Sequence, residues 1–160
     1  MVIYDGSTPR PTTSSGASGY SQPLWSLAWN ATGSDLYDAY NQGGSSPAVF
    51  LSVNSNGAQL AASSQPLMMG NIQYSALSGY VYGYDGQIFD PSTNTTANRL
   101  PVRVVGGEIF SGENTPMAVD DTLGMAWLVA DMVNNPSQQM TIEAFDLRTN
   151  ALLGSIAVRM

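Results

Sequence analysis

Three glycines, Gly33, Gly79 and Gly124, stand 46 and 45 residues apart, and the same local pattern surrounds each of them. An apolar, β-prone run precedes the glycine, a second follows it, and an aromatic residue lies three or four positions downstream: Tyr37, Tyr82 and Trp127. Recurrence at such a period marks an array of like units, each unable to bury its apolar face alone. In a unit of this kind the glycine supplies the positive φ of a tight hairpin turn. The aromatic then falls on the next strand, placed to pack between sheets.

The first copy runs through Trp25–Gly33, Asp35–Tyr40 and Ala48–Asn54. The second runs through Ile72–Gly79, Tyr80–Tyr84 and Gln87–Asp90, and the third through Met117–Gly124, Met125–Ala130 and Thr141–Asp146. Each third run ends in Asn or Asp before a polar turn (Asn54, Asp90, Asp146), where the side chain bonds back to the turn backbone and favours a hairpin. A fourth run follows: Ala58–Ala61, Arg99–Val104 and Leu152–Val158. Strand, glycine turn, strand, variable loop, strand, Asx turn, strand describes one up-and-down four-stranded blade. The best helical candidate, Gly124–Val133, is short, rich in Val, Trp and Met, and stands where the repeat needs a strand. It is expected to be one. Val2–Asp5 reads as a third strand with its Asp turn, and Arg10–Gly19 as a polar linker.

The expected fold is therefore all-β: a β-propeller fragment of about three four-stranded antiparallel blades plus an N-terminal half blade. It forms a single domain over residues 1–160, with a half blade and linker at 1–22 and blades at 23–66, 67–106 and 107–160. The runs Val2–Gly6 through Arg10–Thr13, Val81–Asp85, and Thr141–Asp146 through Leu152–Gly154 resemble those of large bacterial propeller proteins of the YVTN and quinoprotein-like kind. The resemblance covers nearly the whole chain. It implies a fold, no assigned activity, and a parent protein of the cell envelope or the extracellular space. A ring needs four or more blades, so the chain reads as a partial propeller with two unmet sheet faces. Apolar faces of that size mark interaction surfaces. A homo-oligomer is expected, most simply a dimer closing a ring of six or seven blades, or else a longer protein of which this is a piece.

Composition narrows the chemistry. At 160 residues and 43% apolar content the chain can hold a real core. Its net charge of −7, from five Arg, no Lys and twelve acidic residues, offers no basic patch for nucleic acid or an anionic membrane. No apolar run reaches the roughly 18 residues of a membrane span, and Met1–Asp5 lacks the regions of a signal peptide. Cys, His and Lys are all missing. With them go the imidazole base, His and Cys metal ligands, the thiolate nucleophile, the Schiff base and the phosphate-loop lysine. Carboxylate, hydroxyl, amide and Arg chemistry remain. No cofactor and no catalytic residue is expected.

Four carboxylates are metal candidates. Asp120-Asp121 is the only adjacent acidic pair, suited to Ca²⁺ or glycoside hydrolysis, but its place in the repeat is a turn, where Asp satisfies turn amides. Tyr84-Asp85-Gly86 and Asp90 bracket a short loop with oxygen ligands, yet the D-x-D-x-D-G pattern is lacking and a solvated turn is the better reading. Tyr80, Tyr82 and Tyr84 share one strand face; such a stripe can stack sugars, but between blades it is core. Arg99 and Arg103 flank Pro101 on an expected outer strand, where charge and Pro blunt a sheet edge. Asn30-Ala31-Thr32 and Asn94-Thr95-Thr96 fit the glycosylation pattern, which arises often by chance in such chains. The leading function is a non-catalytic binding or scaffold module with a protein or glycan ligand; the alternative is a carboxylate-based carbohydrate-active enzyme.

Overall fold

The computed structural model describes residues 4–11, 26–39, 47–67, 71–102, 116–130 and 139–159. Every regular element among them is a strand. A short hairpin pairs β1 (Tyr4–Asp5) with β2 (Thr8–Pro9). The first four-stranded sheet follows, with β3 (Ser26–Trp29), β4 (Asp35–Ala39), β5 (Pro47–Asn54) and β6 (Gly57–Leu67). The second holds β7 (Ile72–Tyr74), β8 (Val81–Gly83), β9 (Gln87–Asp90) and β10 (Thr95–Arg99). The third holds β11 (Met117–Asp120), β12 (Met125–Ala130), β13 (Gln139–Asp146) and β14 (Leu152–Arg159). In each sheet the strands lie side by side in chain order, all antiparallel. The arrangement is propeller-like.

The three glycines sit between the first and second strands of their sheets with φ of +69°, +77° and +68°, the left-handed conformation that the repeat requires of them. Gly124–Val133 is strand over Met125–Ala130, as its place in the repeat demands; the remainder of that run lies outside the described residues.

Alternation along each strand sorts side chains into layers. In the first sheet Ala28, Tyr37, Ala39 and Phe50 point one way; they meet Ile72, Val81 and Phe89 of the second sheet in one buried cluster. The opposite face of the second sheet carries Tyr82 and Ile88, which pack with Ala126, Leu128 and Phe145 of the third. Leu36, Val49, Leu51 and Val53 form a third cluster on the far side of the first sheet. The sheets are therefore stacked face to face, and the second, between the other two, buries both of its faces. The tyrosine stripe is core: Tyr82 is fully buried, Tyr84 is buried, and Tyr80 packs against the same cluster.

First strands also touch one another. The Ile72 amide donates to Ser26 Oγ (2.9 Å), and the Gln73 side chain both donates to the Met117 carbonyl (3.0 Å) and accepts from the Val119 amide (2.7 Å). Gln73 thus stands in for a missing ladder residue between β7 and β11.

One strand departs from the expected placement. The fourth strand of the second sheet is Thr95–Arg99, not Arg99–Val104. Asn94 takes φ of +58° and closes the turn after Asp90 within four residues, so the β-branched pair Thr95-Thr96 starts pairing at once. Arg99 ends that strand and Pro101 lies beyond it; Arg103 lies outside the described residues. Arg99 stands exposed at the end of β10, the outer edge strand of its sheet, and donates to the Asp85 carbonyl at 3.2 Å. No helix among the described residues is long and apolar enough to cross a membrane.

Candidate functional site

The candidate carboxylates do not converge. Asp85 and Asp90 flank a strand rather than a loop, since Gln87–Asp90 is extended. That places them on the order of 15 Å apart along the chain. Asp85 is buried in the β8–β9 turn and accepts from the Gln87 amide (3.1 Å) and side chain (2.8 Å). Burial pushes its carboxyl above the ordinary value, against the pull of the Gln87 bonds and Arg99. Asp90 accepts from the Ser92 hydroxyl (2.6 Å) and amide (2.8 Å), which hold it below the usual carboxylate range.

The adjacent pair divides its work. Asp120 Oδ1 accepts from the Thr122 and Leu123 amides at 2.8 and 2.9 Å, the turn role the repeat predicts. Asp121 instead reaches the second sheet, accepting from Ser75 Oγ at 2.5 Å and the Ala76 amide at 2.7 Å. Asp121 and Asp146 line a polar depression of about 140 Å³ with Arg148 and Thr122. Asp146 is held low by the Thr149 amide (2.7 Å), its hydroxyl (2.9 Å) and the Arg148 amide (2.9 Å). No three acidic side chains among the described residues are grouped to hold a metal ion.

A larger cleft of about 360 Å³ opens between the first and second sheets. Asp35 and Tyr37 alternate on β4 and so share the face toward the second sheet; Phe50 is the Cα partner of Tyr37 on β5. Across from them Tyr74 ends β7, and Ser92 and Asn94 come from the β9–β10 turn. The rings form a floor: Tyr37 lies edge-on to Phe50 at 5.2 Å and stacks on Tyr74 at 5.8 Å. Phe50 in turn stacks on Phe89 at 4.5 Å. Asp35 Oδ2 is fixed by Asn30 Nδ2 (2.6 Å) and Ser34 Oγ (3.0 Å), so the Asn30 turn aims the carboxylate. Burial, then Asp35 and Tyr74, push the Tyr37 hydroxyl up to about 12, leaving it protonated at any physiological pH. Sequence reasoning singled out Tyr37 as an inter-sheet aromatic and Asn94 as a sequon, and missed Asp35 and Tyr74 altogether. The spacing of Asp35 and Tyr37 on one strand face was the available signal.

No family model matches the sequence, and no curated protein does. Among solved structures the chain is similar to hydrazine synthase of Kuenenia stuttgartiensis, a β-propeller-containing protein, with 9% identity and a TM-score of 0.56 over 84% of this chain. The chain spans 37% of that structure's length, and the likeness is one of fold.

Proposed function

We propose that the chain is a run of β-propeller blades that acts as a non-catalytic scaffold, its ring completed by a second copy. One observation carries the reading: the third sheet buries one face against the second and presents the other. On that outer face register places Ala118, Trp127, Val129, Ile142, Ala144 and Ile156, with Ile156 at 69% exposure and the neighbouring Leu153 at 52%. At the far end of the array Leu27 and Trp29, on the first strand of the first sheet, are also exposed. Beside the already buried Leu36, Val49, Leu51 and Val53 they form a narrow apolar rim, on which the outer face of the third sheet, with Trp127 and Ile156, can pack head to tail. Two copies would set about six such sheets in a ring, within the range of known propellers. The hairpin of β1 and β2 fits a half blade: Arg10 donates to the Asn54 carbonyl at 3.0 Å, tying it to the turn of the first sheet. Kinship with YVTN and quinoprotein-like propellers, an envelope or extracellular setting, and the blade limits 23–66, 67–106 and 107–160 belong to the same proposal.

The carbohydrate-active enzyme reading calls for two carboxylates flanking one ligand. The larger cleft carries Asp35 alone among the described residues, and the carboxylates of the smaller one are engaged in turns and in the inter-sheet contact. Sedimentation of the full chain tests the proposal. A dimer is expected, and Ile156→Asp on the outer face should yield a folded monomer. A well-folded wild-type monomer at high micromolar concentration overturns it.

A further inference from the structure

We propose that the cleft between the first and second sheets binds a neutral saccharide, a site independent of whether the ring closes by self-association. Its volume of about 360 Å³ lies within the range of small-ligand pockets. Among the described residues the only charged side chain lining it is the Asp35 carboxylate, which repels phosphates, sulfates and acidic sugars. A quaternary ammonium needs rings standing around a void. Here the rings of Tyr37, Phe50 and Tyr74 pack on one another at 5.2 and 5.8 Å and leave no such space.

Tyr37 and Phe50 are buried in the inter-sheet core, so the partly exposed ring of Tyr74 is the apolar surface that meets the C–H face of a pyranose, beside groups that read hydroxyls. Asp35 Oδ1 accepts no hydrogen bond from the described residues, while Oδ2 is held by Asn30 and Ser34, so one oxygen of an oriented carboxylate is open to a donor. Asn94 supplies an amide that both donates and accepts. Ser92 already donates to Asp90, which leaves its oxygen as an acceptor. The phenolic hydroxyls of Tyr37 and Tyr74 make no hydrogen bond among the described residues, and that of Tyr37 stays protonated. A carboxylate acceptor beside an amide donor matches two adjacent sugar hydroxyls, one giving and one taking a proton.

Calorimetric or NMR titration of the full chain with cellobiose and with N,N′-diacetylchitobiose tests the site, with choline and glucuronate as contrasting probes. Saturable binding of at least one disaccharide is expected, with choline and glucuronate binding more weakly. Asp35→Asn should weaken it about tenfold, the loss of one hydrogen bond to a charged group. Because Asp35 also orders the Asn30 turn, two milder variants are decisive. Asn94→Gly keeps the positive φ while removing the amide, and Tyr74→Phe removes only a hydroxyl; each should cost about threefold or more at an unchanged unfolding midpoint. Absence of saturable disaccharide binding, disaccharide binding that both mild variants leave unchanged, or tighter binding of choline or glucuronate overturns the proposal.

Discussion

Asp85 is 5% exposed, and its burial is the larger influence on its carboxyl, outweighing two bonds from Gln87 and the charge of Arg99. A carboxyl whose folded value lies above its unfolded one favours the fold while protonated. Its contribution is full below the unfolded value of 3.8 and is lost as pH rises through the raised one. Asp85→Asn, which keeps the acceptor and lets the Gln87 amide turn, should therefore be more stable than wild type at pH 7, with the gap closing toward pH 3. Urea midpoints across that range check it, and a gap that stays constant with pH contradicts it. Asp90 has the opposite sign: its lowered value adds stability above 3.8 that disappears as pH falls through the folded value. A second residue-scale test concerns Gly79. Its φ of +77° is unfavourable for a side chain although a Cβ there would meet nothing within 4 Å. Gly79→Ala should cost about 1 to 2 kcal/mol in chemical unfolding, and Gly79→Asn less. Asn94 and Asn150 already hold φ of +58° at other turns of this chain.

Between elements, the second and third sheets are joined by polar contacts as well as by the Tyr82 and Phe145 layer. Ser75 is fully buried and its hydroxyl depends on Asp121. Asp121→Ala strands the proton of that hydroxyl, whose oxygen still accepts from the Ser78 amide, while the exposed Ala76 amide turns to water; it should destabilise by about 1 to 3 kcal/mol, read as a lower thermal midpoint. An unchanged midpoint would show that the contact adds nothing. The same pair of residues marks the limit of what the chain's order reveals. Asp120 could be assigned to its turn because its partners, Thr122 and Leu123, are two and three residues away. Asp121 finds partners 46 and 45 residues back, and no local pattern predicts that reach. Strand placement was legible for the corresponding reason: alternation, glycine turns and Asx turns act over a few residues. It failed at Thr95–Arg99, where the left-handed Asn94 shortened the turn below what a polar run of Pro91–Asn98 suggests. The cleft was illegible because two neighbouring repeats build it, Asp35 and Tyr37 from one, Tyr74 and Asn94 from the next.

At the scale of the molecule, stability runs through neighbours. The first sheet meets the second and the second meets the third, so the array behaves as a line of coupled units whose ends differ from its middle. The second sheet is covered on both sides by its neighbours, whereas the outer face of the third carries the exposed Ile156. Self-association would therefore stabilise the end units before the central one. The Gln73 bridge adds a consequence for curvature. One side chain, bonded at both its oxygen and its nitrogen to β11, helps set how far apart β7 and β11 stand. In the ring proposed above, the angle turned per sheet, and hence the number of sheets that complete the circle, would depend in part on the length of a single glutamine.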